Sequence, residues 1–452
     1  MIAPARSAAY EILSAVSAGR ADLPAAIVHA RASLRDDRDR ALAAEIATGV
    51  QRWRDALDHL IATFAKRPLH RLDPEIIEIL RIGAYQLLHL TRVPASAVVD
   101  DAVNLARRVG KGSASGFVNA LLRTVSRQRR ALPLPPRPAD PADAAAALDY
   151  LTITLSHPRW LAARWLARFG FDRAEQWATF DNQPAPLTLR ANRIHTTPAA
   201  LTGQLAAHEV IVHSGRFAPD ALVVDEGQPL RDPGVADGGF VVQDEASQLV
   251  TLLAGPSPGP LVLDTCASPG GKATAFAAAA SGLVIACDVR ARRMALLART
   301  VEATGASNVR LVQADVTRPL PFSTGFSCVV VDAPCSGLGT LRRDPDIKWR
   351  RQETDLPTLA AAQRQMLVNA AQAVAPGGRL VYATCSSEPE ENEEIVDAFL
   401  RETPGFVPLS AAQAHPAMPP AVVDRRGHLR TAPDAHGLEA FFGAVFVKRG
   451  ER

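Results

Sequence analysis

Two Cys-Ser dipeptides, each just past a strand-like run, are the residues of this chain best suited to covalent chemistry. Asp332-Ala-Pro-Cys335-Ser336-Gly337 follows Cys328-Val-Val-Val331, and Thr384-Cys385-Ser386 follows Arg379-Leu-Val-Tyr-Ala383. The thiols lie 50 residues apart, about one strand-helix-strand unit. A thiol leaving a strand end at a cleft can be activated as a thiolate by a nearby cation or helix N-terminus. Upstream, after Leu261-Val-Leu263, comes a glycine turn that opens on an acid, Asp264-Thr-Cys-Ala-Ser-Pro-Gly-Gly-Lys272. The other three cysteines, Cys266, Cys287 and Cys328, sit in or beside strands and read as small buried residues. Cys266 lies inside the turn, so its backbone can still touch a ligand.

The Gly270-Gly271 pair can bring backbone amides close to a ligand, with a helix expected from Ala273. Neither GxxxxGK[ST] nor GxGxxG is present, which disfavours a nucleoside triphosphate or a dinucleotide. Acids recur at successive strand ends: Asp264, Asp288, Asp315 and Asp332. An acid after the second strand suits the two hydroxyls of a ribose. One after the third can accept from an exocyclic adenine amine, since carboxylates are acceptors only. Strand-end aspartates also cap turns and helices, but four in register with a Gly-Gly turn weaken that plainer explanation. An acid-lined pocket without phosphate-binding features fits adenosine joined to a cationic centre, and S-adenosylmethionine is the cofactor expected.

The elements that must position these groups fall into four segments. Residues 1–130 read as helical throughout: Ala9, Ile12, Leu13 and Val16 share a face, Asp73-Pro74 opens a second helix, and Ser115 is expected to cap a third. Residues 131–148 begin with a proline-rich run that reads as a semi-rigid linker. Residues 149–238 mix helical and strand patterns (Trp160 to Phe169, Pro186 to Arg190, Ala221 to Val224) and suggest a small α+β domain. From 239 to 450, strands and helices alternate, which predicts a parallel, doubly wound α/β sheet with its ligands at the carboxyl ends of the strands. The expected fold is therefore multidomain.

The formal net charge of the 452 residues is only +3, but it is uneven. Residues 1–130 carry 20 Arg and Lys against 13 Asp and Glu. A basic N-terminal region suggests a polyanionic partner, most simply nucleic acid, against the alternative of an ordinary Arg-rich solvated surface. Arg123, Arg127, Arg129 and Arg130 flank the third helix as a candidate phosphate-facing edge. No run approaches the roughly 18 apolar residues of a membrane span, and Met1 to Arg6 shows no secretory pattern. Five cysteines without CxxC or Cys/His spacing argue against disulfides and zinc, so a reducing cytoplasmic location and no metal are expected.

Methylation of a pyrimidine at carbon 5 unites these parts. That carbon is a poor nucleophile until a thiolate adds to carbon 6 and makes the ring enamine-like. Asp332 can hydrogen-bond the base edge, and a second thiol can assist breakdown of the adduct.

Asp264-x-Cys-Ala-x-Pro-Gly-Gly-Lys272, Asp332-Ala-Pro-Cys-Ser-Gly337 and Thr384-Cys-Ser386 resemble motifs I, IV and VI of the RNA cytosine-5 methyltransferases, the NOL1/NOP2/Sun class. Phe240 to Ser247 resembles the lead-in to motif I, and Leu341-Arg-Arg-Asp-Pro-Asp-Ile-Lys-Trp-Arg350 the basic loop after motif IV. Asp37-Arg38, Gly83 to Leu88 and Phe117 to Arg123 are similar to NusB-like RNA-binding domains. A NusB-like domain joined to this catalytic domain resembles the bacterial RsmB (Sun/Fmu) family, which acts on 16S ribosomal RNA.

The resemblance covers nearly the whole chain. It implies a Rossmann-like class I methyltransferase domain, with Cys385 as nucleophile, Cys335 assisting product release and Asp332 steadying the base. It implies cofactor contacts from Cys266, Ala267, Ser268, Pro269, Gly270, Gly271, Lys272, Asp288, Asp315 and Asp332. The expected partner is 16S rRNA, and a monomer is expected. Two departures stand out. Ser268 replaces the family's usual Ala, and Ala273 its usual Thr, so a hydroxyl contact is lost or passes to Ser268 or Thr274. The same chemistry on tRNA or 23S rRNA remains an alternative. A non-enzymatic RNA-binding factor would need neither thiol, and an amino-methyltransferase would want Asn/Asp-Pro-Pro-Tyr/Phe in place of Asp-Ala-Pro-Cys.

Overall fold

The computed structural model describes residues 2–231, 238–323 and 325–450. The expected 149–238 segment thus includes 232–237, which lie outside the described residues, as does Met1 of the N-terminal reading. The chain divides into two compact units, Met1–Pro184 with Leu341–Glu353, and Ala185–Thr340 with Thr354–Arg452.

The first unit is helical. Pro4–Ser17, Leu23–Ser33, Asp37–Arg52, Arg54–Ala65, Pro74–His89, Ala95–Arg108 and Ser115–Gln128 bury Ile12, Leu13, Ile46, Val50, Leu80, Leu105 and Leu122 in one core. Local signals explain the starts: Asp22 accepts from the Ala25 amide at 2.9 Å, and Pro74 occupies the first turn after Asp73. Ser115 is not the cap that the sequence suggests. It is the first helical residue, entered from the 3-10 turn Gly112–Ala114, and its hydroxyl makes no hydrogen bond. Helices Arg159–Phe169 and Phe171–Asp181 belong to this unit too.

The second unit holds two sheets. Strands β1 (Thr188–Ala191), β2 (Ile211–Ser214), β3 (Ala221–Glu226) and β4 (Phe240–Val242) form a small antiparallel sheet in the order β2-β3-β1-β4. The large sheet contains β5 (Leu261–Asp264), β6 (Leu283–Asp288), β7 (Val309–Gln313), β8 (Phe326–Asp332), β9 (Val374–Thr384), β10 (Phe406–Leu409), β11 (Leu429–Arg430) and β12 (Phe442–Lys448). Its order is β10-β12-β9-β8-β5-β6-β7, with β11 paired to β12.

Strands β5 to β9 pair in parallel, whereas β12 runs antiparallel to β9 and carries β10 and β11 antiparallel in turn. The sheet is therefore mixed, not wholly parallel as alternation alone predicts. Both faces are covered, as parallel strands require. Val262, Val284, Val330 and Val381 face one core, and Leu263, Val329, Val331 and Tyr382 the other. Strand order reverses between β5 and β8, so the crevice beyond their carboxyl ends is the expected ligand position.

Candidate active site

The residues singled out for chemistry converge at these carboxyl ends. Register aligns Asp332 of β8 with Ala383 of β9, one residue from Thr384. The chain then turns at each strand end, and the Cys335 and Cys385 sulfurs come to 3.3 Å of each other. Both residues are partly exposed. The hydrogen bond to Cys385, then burial, then the charge of Cys385 push the Cys335 thiol well above its ordinary range. Either sulfur can be the donor of the pair. Burial also raises the thiols of Cys266, Cys287 and Cys328, the last two to about 12, as expected for structural cysteines.

The Lys272 ammonium donates to Asp332 at 2.8 Å. Burial alone would depress Lys272, but the Asp332 carboxylate outweighs it, and Cys385 adds to the rise. The sequence-level reading places Lys272 only among cofactor contacts. Its partner is Asp332, at the end of β8. Asp264, at the end of β5, is 1% exposed and neither of its oxygens has a hydrogen-bond partner. Burial first, then Asp332, push its carboxyl up to about 7, against weaker pulls from Lys272 and from the Cys266 amide, whose approach falls short of a hydrogen bond. A buried carboxylate without a donor is costly, so this position is shaped for a cation or donor that the protein does not supply.

The glycine turn has two different glycines. Gly270 has φ +113°, and a Cβ there would meet Leu297 and Thr300 at 3.0 Å, so only glycine fits without strain. A Cβ at Gly271 would make ordinary contacts with Gln243. The helix Gly271–Ala279 begins two residues earlier than the sequence pattern suggests. The hydroxyls left open by the family comparison are engaged: Ser268 Oγ donates to the Arg293 carbonyl, and Thr274 Oγ1 donates back to Gly270 and Gly271 and accepts from the buried Arg190.

Beside the turn, Thr265, Cys266, Asp288, Asp315, Val289, Val316, Pro334 and Met366 line a cleft. Asp288 accepts from the amides of Ser268 and Val289 at 3.3 and 2.8 Å. Hydrogen bonds from the Thr317 hydroxyl and amide, above all, hold the Asp315 carboxyl below its usual range. Ala267 is buried and Pro269 completes the turn.

A family model for the 16S rRNA methyltransferases RsmB/F matches residues 250–447, and models of the NusB family and of an RsmF/B-like ferredoxin-like domain match 3–127 and 157–231. Ribosomal RNA small subunit methyltransferase B of Pseudomonas putida is 35% identical over 412 residues, 90% of this chain and 91% of that protein. This chain belongs to the RsmB/F family. The probable enzyme of the same name in Bacillus subtilis is 32% identical and covers 92% of both chains.

Among solved structures, PH0851 matches with a TM-score of 0.80 over 99% of both chains at 24% identity, a likeness of fold. A methyltransferase homologue from Pyrococcus horikoshii matches with a TM-score of 0.57 at 25% identity, over 68% of this chain and 99% of that one. The protein is an S-adenosylmethionine-dependent rRNA methyltransferase of the RsmB/F family.

The loop that resembles the basic loop after motif IV is largely built into the helical unit. Lys348 is 1% exposed and donates to the Arg52 and Ser156 carbonyls and to Asn182 Oδ1. Trp349 Nε1 donates to the Gln51 carbonyl, and buried Asp346 accepts from the Leu23 amide. Arg350 is exposed but pairs with Asp346, and Arg342 donates to the Pro184 carbonyl.

Part of the N-terminal charge excess is structural as well. Arg6 pairs with Asp101, and Arg81 with Asp58 and Glu78, all buried or nearly so. Arg123, Arg127, Arg129 and Arg130 are exposed, as an RNA-facing edge requires. Among the described residues, no helix is long and apolar enough to cross a membrane and no metal-binding cluster occurs.

Proposed function

We propose that this enzyme methylates carbon 5 of a cytosine in 16S rRNA through a covalent adduct on Cys385, with S-adenosylmethionine as donor. The observation that carries the reading is the 3.3 Å approach of the two sulfurs beside the Lys272–Asp332 ion pair. A lone nucleophile would explain one thiol; two in contact at the end of the sheet fit a reaction that must both make and break a carbon–sulfur bond.

The residues around the glycine turn fit the cofactor. Asp264 is an uncompensated buried acid that matches a cationic group, Asp288 and Asp315 match ribose and adenine donors, and Val289, Val316 and Met366 supply apolar lining. When bound, S-adenosylmethionine supplies an electrophilic methyl group. In the proposed sequence Cys385 adds to carbon 6, which raises the electron density on carbon 5. Lys272 stands close enough for its charge to couple to Cys385, and it tethers Asp332 for contact with the base edge. After methylation Cys335, as its thiolate, takes the carbon 5 proton, the C–H pair becomes the carbon 5–carbon 6 double bond, and the carbon–sulfur pair returns to Cys385. Exposed arginines of the helical unit hold RNA phosphates, mostly without sequence preference.

The test is methyl transfer from labelled S-adenosylmethionine to 16S RNA, 23S RNA and tRNA, with the product base mapped. Cys385→Ala is expected to abolish turnover. Cys335→Ala is expected to trap a denaturation-resistant protein–RNA adduct. An adduct that accumulates in Cys385→Ala instead would reverse the two roles, and label confined to tRNA or 23S RNA would refute the 16S assignment.

A further inference from the structure

The acidic run after the second thiol, Glu388 to Glu394, holds two fully buried carboxylates, Glu388 and Glu391, and Glu391 joins the two Cys-Ser turns. Glu391 ends the 3-10 turn Pro389–Glu391 and is fully buried. Its Oε1 accepts from the Ser336 amide and from Gln363 Nε2, each at 2.8 Å. Its Oε2 accepts from the hydroxyls of Ser336 and Ser386, each at 2.5 Å. These serines are the residues that follow the two thiols.

The proton inventory leaves little freedom. Each serine oxygen accepts a backbone amide, from Leu338 at 3.4 Å and from Glu388 at 3.1 Å, and the two hydroxyls lie 3.1 Å apart, so each proton has only Glu391 or the other serine to go to. Four donors on one side chain suit a carboxylate, which only accepts.

The same network brackets the first thiol. Gln363 Nε2 also donates to the Pro334 carbonyl at 3.1 Å, so Cys335 lies between a carbonyl held by Gln363 and an amide held by Glu391. On the other strand, Asn392 accepts from Thr384 Oγ1 and donates to the Ser386 carbonyl, while the Cys385 carbonyl accepts from the Gly339 amide.

We infer that Glu391 is a positioning residue for the methyl transfer: it ties together the residues after Cys335 and Cys385 and so sets the separation of the two sulfurs. This rests on the covalent reading proposed above. Glu391 reaches the two turns through the serines that follow the thiols, and its charge also acts directly on Cys335. Misplacement of a reacting group by about 1 Å can cost on the order of 100-fold in rate.

The experiment compares Glu391→Gln, the pair Ser336→Ala/Ser386→Ala, and all three together, with Cys385→Ala run alongside in the same assay. Rates are divided by the folded fraction. Glutamine keeps only one acceptor oxygen, so its NH2 faces either the Ser336 amide and Gln363 or the two serine hydroxyls, which must then turn away, and Glu391→Gln is expected to lower kcat by about 100-fold with KM for RNA and cofactor within about twofold. Without the two serine hydroxyls that conflict disappears, and the same substitution is expected to cost less than about fivefold. Wild-type kcat in folded Glu391→Gln would overturn the inference, as would an equal loss in both backgrounds. Should Glu391→Gln not fold, Ser386→Ala carries the test: a loss of about 10-fold is expected, and an unchanged kcat refutes the role. Retained turnover in Cys385→Ala would instead sink the covalent reading itself, a separate and recognisable outcome.

Discussion

Two buried carboxylates beyond the carboxyl edge of the large sheet, Asp264 at the end of β5 and Glu391 in the turn after β9, are treated in opposite ways. Glu391 receives four hydrogen bonds, whereas Asp264 receives none at either oxygen. Both are essentially inaccessible, at 0% and 1% exposure. A satisfied buried acid is a strut that fixes the groups bound to it. An unsatisfied one stores a cost that a ligand can relieve, so it marks where something is meant to bind. The glycine turn is thus built to receive, and the paired Cys-Ser turns are built to hold.

Asp264→Asn would break this contrast most sharply. Loss of a charge-assisted contact is expected to weaken S-adenosylmethionine binding by about 10- to 100-fold, read by calorimetry. The same change should raise the ligand-free melting temperature, because an uncompensated acid has been removed; a fall would show that Asp264 is structural. Its carboxyl is raised from 3.8 to about 7 in the folded chain, which gives the sign of the pH effect. Between about pH 4 and 7 the unfolded acid ionises while the folded one stays protonated, so stability from this group is present below about pH 4 and lost as pH rises to about 7. Asp264→Asn should lack that slope. Cofactor affinity should rise through about pH 7 in the wild type, with proton release.

Lys348 extends the comparison to the helical unit. It is buried with three acceptors, and burial, opposed by Asp181, lowers its ammonium to about 7. Lys348→Ala strands those acceptors and is expected to cost about 1–3 kcal/mol, seen as an earlier first unfolding transition. The salt dependence of rRNA binding should not change; a slope reduced by about 1 would mean that Lys348 contacts a phosphate after all. The smallest effect belongs to a carboxylate that is neither strut nor receptor. Glu402 pairs with Arg364 in solvent, and Glu402→Gln should shift stability by less than about 0.5 kcal/mol in denaturant melts.

The strand-end chemistry was legible because its signals are local: Gly270 needs its backbone angle, and each Cys-Ser follows an apolar run that only a strand explains. The parallel strands were legible for the same reason. The antiparallel edge was not, since Phe442–Lys448 is one apolar run among several and nothing local states its direction. Ser115 looks like a cap because serines often are, but the preceding turn takes that place. Charge was the least readable property. Lys348 and Glu391 lie in runs that look solvated, and only the partners that fold against them distinguish a buried ion from a surface one. For Glu391 the available signal was its position six residues beyond Cys385, where the chain must turn back toward the sheet.

The helical unit is finished by residues 341–353, which come late in the chain and bring Asp346, Lys348 and Trp349 to positions prepared by Leu23, Gln51, Ser156 and Asn182. The enzyme is therefore not two cassettes strung end to end. A recombination event that swapped only the first 184 codons would carry sockets away from the side chains that fill them. An exchange that kept these sockets filled would have to move two distant stretches of gene together.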